Sequence, residues 1–239
     1  MIFFKKSHVK SYIKKDGRFV STYVKKPIAP PEGHHPQLND KGEKVGIQKL
    51  SKPTNMDNFH DPDRIATVVP GGRCPKELGD VQFTVWHDAP KSLRDWADVD
   101  GQNEIDEPDF EPPKGVKLGS GVIIQEDDGR VWVVHPTNGY GGYSATFPKG
   151  TLEDGLPLQA SAIKEAYEES GLKVEITGFL GDVKRTTSYA RYYLARRVGG
   201  DPTDAGWESQ AVSLVPVDLL DRRLNGEADL KLVDMLKEK

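Results

Sequence analysis

The chain has 239 residues, 36% of them hydrophobic and 29% charged, with 24 glycines; counting glycine, the apolar share is about 46%, in the globular range, which excludes wholesale disorder. A mean hydropathy of -0.59 and the lack of any apolar run near the ~18 residues of a membrane span exclude a spanning helix. A single cysteine, Cys74, excludes an internal disulfide and a cysteine-built metal site. The apolar stretch in MIFFKKSHVK is too short for a signal-peptide core, so a cytoplasmic location with no membrane partner is expected.

The net charge of -4 is unevenly spread. Residues 1–26 carry eight lysines and arginines against Asp16 alone, a net of +7, whereas residues 95–111 carry eight acids and no base, a net of -8. Like-charge blocks of this kind serve as solvated segments or interaction tails.

In chain order, HVKSYIKK-Asp16-Gly17-RFVSTYV over 8–24 predicts a basic β-hairpin, because Asp-Gly fits a type I′ turn between β-prone runs. Three readings of it are open: an anionic partner such as RNA or DNA phosphates, a solvated edge whose lysines block aggregation, or docking on the acidic segment. Residues 25–64, rich in Pro, Gly, Asn and His, predict irregular structure. One or two strands are expected in 65–87. Residues 88–115, acidic and with Pro90, Pro108, Pro112 and Pro113, have the composition of a linker. The domain reading is therefore an N-terminal extension over 1–87, a linker over 88–115 and a main domain over 116–239.

The second half is more regular. VKLGSGVIIQ, a turn at 126–129 and RVWVVH predict a strand pair. SATFPKG predicts a short strand running into a loop from Gly150 to Gly155. PLQASAIKEAYEES has helical periodicity, with Pro157 at its start and Gly171 as its stop. LKVEIT, GFLGDVKRT, SYARYYLARRV and AVSLVP follow as strands, and 217–224 and 227–238 as short helices. On the central helix Ala160, Ala162, Ile163, Ala166 and Tyr167 share an arc that faces a core. Glu165, Glu168 and Glu169 share the opposite arc at i, i+3, i+4 spacing, where like charges repel unless neutralised. Oxygen donors so arranged suit a hard divalent cation such as Mg²⁺ or Mn²⁺; a merely solvated acidic face is the other reading.

Residues 150–172, GTLEDGLPLQASAIKEAYEESGL, resemble the Nudix box, G-x5-E-x7-R-E-U-x-E-E-x-G-U with U aliphatic. Gly150, Glu165, Glu168, Glu169, Gly171 and Leu172 match, and Ala166 is acceptable at the first U. Leu156 stands where the family has Glu and Lys164 where it has Arg, so the ion pair that braces the family's loop on its helix is altered; Glu153 or Asp154 is positioned to replace it. The resemblance implies a Nudix α/β/α sandwich on a mixed sheet over 116–239, preceded here by a small β-containing extension. It implies Mg²⁺- or Mn²⁺-dependent hydrolysis of a diphosphate linkage in a nucleotide-type substrate. Phe147-Pro148-Lys149-Gly150 is most similar to dinucleoside polyphosphate hydrolases.

By the same resemblance Glu165, Glu168, Glu169 and the Lys149 carbonyl are metal ligands, with Glu208 a further candidate. Glu165 and Glu169 are the catalytic pair, and Lys149, Gly150 and Arg191 contact substrate. A nucleotide sensor without turnover, and a nucleic-acid adaptor led by the basic hairpin, are the alternatives. Arg185, Arg191, Arg196 and Arg197 alternate with Tyr189, Tyr192 and Tyr193. That pattern suits a base or phosphate pocket or cross-strand packing, with Arg191 and Tyr193 on one face. His60-Asp61-Pro62-Asp63 and His34-His35 read as loop residues before metal ligands, Cys74 has no visible base, and Asp127-Asp128-Gly129 is turn chemistry.

Overall fold

A computed structural model describes residues 10–13, 19–22 and 33–239. Strands β1 (Lys10–Ile13) and β2 (Phe19–Thr22) pair antiparallel, Lys10 opposite Thr22 and Ile13 opposite Phe19, as the hairpin expectation requires. The Asp16-Gly17 step on which it rests lies outside the described residues. Strands β3 (His34–Leu38) and β4 (Lys44–Gly46) form a second hairpin inside the stretch expected to be irregular. Next come β5 (Ala66–Val68), the short pair β6 (Glu77–Leu78) and β7 (Val81–Gln82), and helix α1 (Leu93–Ala97).

The second half supplies β8 (Lys117–Gln125), β9 (Val131–Pro136), β10 (Lys149–Thr151), helix α2 (Leu158–Ser170), β11 (Leu172–Lys184), β12 (Ser188–Gly200), β13 (Ser209–Val215) and helix α3 (Glu227–Lys237). The seven-stranded sheet runs β11-β12-β8-β9-β13-β5, with β10 pairing β8 beside that path. It is mixed: β12 lies parallel to β8, and the other pairs are antiparallel. LKVEIT and GFLGDVKRT, expected as separate strands, are one strand, β11, whose irregularities leave Thr177 and Leu180 without a register partner.

Period-two alternation sorts the side chains into two cores. Val122, Ile124, Trp132, Val134 and Tyr193 pack under α2 with Ala160, Ile163 and Ala166. Ile123, Val131, Val133 and Tyr192 pack on the other face with Leu232, Val233 and Leu236 of α3. The result is the expected α/β/α sandwich, and no helix among the described residues is long and apolar enough to cross a membrane.

The linker expectation for 88–115 needs correction. Trp96 of α1 is buried against Trp86 and Tyr167, ring centroids 5.8 Å and 6.1 Å away. Phe59, Trp86, Trp96 and Val99 belong to the same core as α2, and β5 extends the main sheet by pairing with β13. The acidic charges sit on the outside of a packed segment, which composition alone does not reveal. Buried arginines fasten the residues that precede it. Arg130 donates to the carbonyls of Asn58, Phe59, Asp61 and Arg64 and to Asp128. Arg197 donates to Glu126 and to the carbonyls of Leu78 and Val81.

A fragment of residues 112–239 is therefore expected to lose cooperative unfolding, because it uncovers Trp132, Val134 and the α2 face. Calorimetry with dye binding tests this; a sharp melt within about 5 °C of the full chain would show that the N-terminal half adds little to the core.

Candidate active site

The central helix is set by its ends. Pro157 precedes its first turn, and Gly171 closes it in the left-handed region at φ 71°, its N–H on the Tyr167 carbonyl. Alanines at 160, 162 and 166, all fully buried, let the helix approach the sheet closely. The approach is tightest at β10, where a Cβ on Gly150 would overlap the Glu165 carboxylate. Beside it the backbone N–H of Lys149 donates to Glu169 Oε2 at 2.9 Å, and Lys149 Nζ lies 4.0 Å from Glu169 Oε1.

Glu169 thus differs from the solvated arc that helical spacing suggests: it is buried between helix and strand, 8% exposed. Glu168 points outward and accepts from Lys164 at 2.6 Å, and the same ammonium lies 2.9 Å from Glu153. Lys164 with Glu153 therefore forms the loop-to-helix brace, while Leu156 is buried in the α2 core instead of facing the charge. Burial works against the Lys164 charge, but the two carboxylates outweigh it and hold its pKa above the ordinary lysine value.

Burial and then the charges of Glu169 and Glu168 push Glu165 up to about 8. Burial pushes Glu169 up to about 7 against the opposing pull of Lys149. Glu208 is also raised, by burial and then by Asp40 and Glu168. Two neighbouring carboxyls so raised mean that burial, and at Glu165 the adjacent carboxylates, leave their ionised forms incompletely compensated.

Lys149, Gly150, Glu165, Glu168, Glu169 and Glu208 line one cleft of about 1550 Å³. Arg191 does not. It is 2% exposed and is occupied by Asp182, Glu107 and the carbonyls of Pro108 and Asp109; Tyr193 meets the same Glu107, so the predicted shared face is correct but structural. Asp61 pairs with Arg64 at 2.8 Å, His35 bonds the Ser209 carbonyl at 3.2 Å, and Cys74 donates to Asp201. Asp128 and Arg130 close the 126–129 turn.

Three cleft residues carried no signal in the sequence motif. Tyr143 lies under two cations, Lys149 Nζ at 5.7 Å and Arg185 Cζ at 5.4 Å. Arg185, weighed only as one of several strand arginines, pairs with Asp229 at 2.7 Å and Tyr192 at 2.8 Å. Trp207 was passed over beside Glu208.

The spaced motif, the mixed-sheet sandwich and the helix of carboxylates against a strand agree with one family, and the chain belongs to it: a family model described as the NUDIX domain matches residues 116–236. The chain is 31% identical over 109 residues to the RNA pyrophosphohydrolase of Caulobacter vibrioides, covering 45% of this chain and 56% of that one. It is 34% identical over 85 residues to the RNA pyrophosphohydrolase of Shewanella frigidimarina, covering 35% and 45%. The chain thus spans about half the length of the curated relatives it matches. Among solved structures, an Ap4A hydrolase of C. elegans is similar over 52% of this chain and 96% of that one, at 17% identity and a TM-score of 0.43.

The raised carboxyls have a consequence for metal-free protein. Because the folded state binds these protons more tightly than the unfolded state, their stability contribution is full below about pH 4.5 and is lost as pH rises toward 8. In chelator, the melting temperature should fall between about pH 5 and pH 8, and Glu165→Gln should flatten that fall, melting several degrees above wild type at about pH 8. Parallel curves for the two proteins would mean that Glu165 is not held in a repulsive cluster.

Proposed function

We propose that the chain is a Nudix-type pyrophosphohydrolase that cleaves a diphosphate linkage in a nucleotide-type substrate, with Mg²⁺ or Mn²⁺ held by Glu165, Glu168 and Glu169, the Lys149 carbonyl and Glu208. The observation that carries this reading is the convergence of those carboxylates and Lys149 on one cleft, two of the acids having pKa values near neutrality. Among the described residues no three acidic, His or Cys side chains are yet gathered round one point, since Glu168 is turned to Lys164 and Glu169 to the Lys149 N–H. The chemistry of the donor set nevertheless fits a hard divalent ion: oxygen donors only, and a charge excess that a cation would relieve.

When bound, such an ion supplies positive charge against the diphosphate and makes water a stronger nucleophile at neutral pH. The chain's residues do the rest. Glu165, with its pKa raised toward working pH, accepts the proton of the attacking water. The Lys149 ammonium meets a phosphate as a point charge. Glu153 and Lys164 hold the loop after β10, so that the Lys149 carbonyl keeps its place relative to α2. The similarity of Phe147-Pro148-Lys149-Gly150 to dinucleoside polyphosphate hydrolases, and the RNA pyrophosphohydrolases among the relatives, both favour a substrate with several linked phosphates. The cytoplasmic location and an anionic partner for the basic hairpin stay part of the proposal.

Glu169→Gln should keep the fold, because its amide oxygen still accepts from the Lys149 N–H, yet lose hydrolysis. A panel of nucleoside triphosphates, ADP-ribose, dinucleoside polyphosphates and 5′-triphosphorylated oligonucleotide, assayed with Mg²⁺ and Mn²⁺, reads this out. Retention of more than about a tenth of the wild-type rate, roughly 1.4 kcal/mol of barrier, would remove Glu169 from the chemistry.

The ions should also raise the melting temperature of wild type, by about 2.7 kcal/mol of stability at a hundredfold excess over Kd. In Glu168→Gln that rise should be smaller; an equal rise would place the ion elsewhere.

A further inference from the structure

The cleft is lined by more than the carboxylates, and part of its wall is not built by the family motif. It is built by the β3–β4 hairpin and the loop after β9, with Leu38, Tyr140 and Trp207 on its surface. Tyr140 is 84% exposed and Leu38 54%, unusual for large apolar side chains facing a site otherwise full of charge. Tyr140 has no ring contact and no side-chain hydrogen bond among the described residues.

That exposure is held by the backbone. Tyr140 is extended (φ -49°, ψ 139°), and Asn138, Gly139, Gly141 on either side have φ of 57°, 66° and 67°, left-handed values that glycine adopts freely and asparagine tolerates. Asn138 is locked there from three directions at 2.8 Å each: its N–H donates to Gln210 Oε1, its side-chain amide donates to the Gly46 carbonyl, and its side-chain oxygen accepts from the Gln48 N–H. The loop presents a bare aromatic ring on a fixed support.

Trp207 is fixed in a different way. The N–H of Gly206 donates to the Glu168 carbonyl at 2.8 Å, and a Cβ on Gly206 would overlap that carbonyl, so the Trp207 backbone is pinned to the C-terminal turn of the carboxylate helix. Its indole N–H donates to Asp40 at 3.1 Å, which sets the ring against the β3–β4 hairpin. The apolar wall therefore adjoins the carboxylate end of the same cleft.

Resting on the reading that the substrate is a nucleotide, we propose that Tyr140 and Trp207, flanked by Leu38, form a stacking subsite for its nucleobase, with the β3–β4 hairpin as part of the active-site wall. A flat aromatic ligand suits the exposed Tyr140 ring and the half-buried Trp207 ring on rigid backbone, with its phosphates toward Lys149 and the carboxylates that line the same cleft. Stacking of a base on an aromatic side chain is sequence-tolerant and is weakened about tenfold or more by alanine substitution.

The test is calorimetric binding of α,β-methylene-ADP and of inorganic pyrophosphate to the full chain in Mg²⁺. Tyr140→Ala and Trp207→Ala should each weaken the methylene-ADP about tenfold while leaving pyrophosphate within about twofold, and Tyr140→Phe and Trp207→Phe should restore most of the affinity. Unchanged methylene-ADP binding in both alanine variants overturns the subsite, as does an equal loss for pyrophosphate. Should Trp207→Ala fail to fold, Tyr140→Ala decides alone, since its side chain is 84% exposed. A wild type that hydrolyses nothing but shows the expected pattern overturns the hydrolase reading and supports the subsite; a wild type that hydrolyses and binds methylene-ADP no more tightly than pyrophosphate overturns the subsite alone.

Discussion

The close approach of α2 to β10 is the constraint on which the rest of the site depends. A buried carboxylate is costly unless it is bonded, and Glu169 is bonded to the backbone N–H of Lys149, a donor that β10 leaves free on the side away from β8. That bond needs the helix within hydrogen-bond reach of the strand. The approach is possible because Gly150 has no side chain to meet Glu165 and because alanines form the helix's inner face. The brace from Lys164 to Glu153 then fixes the loop that joins the two elements, and the Gly206–Glu168 backbone bond fixes the other end of the helix to the segment before β13. Each contact is separately weak, but together they leave α2 no freedom to move away from the strand.

The N-terminal half is held by a second set of interactions that share one design. Arg130, Arg191 and Arg197 are each buried, and each spends its guanidinium on backbone carbonyls of residues 58–64, 108–109 and 78–81 as well as on a carboxylate. A guanidinium suits this because five fixed donors can satisfy several loop carbonyls at once. Loops without regular structure must pair their buried backbone groups somewhere, and here the main domain supplies the donors. Removing one partner of such a cluster leaves either a charge or several carbonyls uncompensated, commonly worth about 3–5 kcal/mol.

These same interactions explain what was legible in the sequence. The motif and its helix read clearly, because spacing at i, i+3, i+4 and flanking glycines are local properties. The replacement of the family brace was also legible, since Glu153 lies only eleven positions from Lys164 in a loop that must fold back on the helix. The packing of 54–110 was not. The acids and prolines of 88–115 give the composition of a linker and 25–64 reads as irregular, while the signal that 54–110 is core rests on Phe59, Trp86 and Trp96, isolated aromatics with no periodicity. Arg191 shows the same limit: alternation placed it correctly beside Tyr193, but nothing local says whether an arginine on that face meets a phosphate or Glu107 of a segment more than eighty residues earlier. Glu169 is less exposed than its helical position suggests, because a helical wheel cannot show that the strand before it closes over one edge of the acidic arc.

The acid cluster also sets what the surrounding fold has to provide. Burial holds Glu165 up to about 8 and Glu169 up to about 7, so without a cation the ionisation of the pair opposes folding as pH rises through that range. Strain of this kind persists only where other interactions over-determine the structure. The arginine clamps on residues 58–64, 78–81 and 108–109 bond none of these carboxylates, so they can carry the stability that the site gives up. On this view the N-terminal half has two connected tasks. Its packed part offsets the repulsion within the site, and its β3–β4 hairpin, joined to the loop after β9 through Asn138, completes the cleft in which that repulsion is put to use.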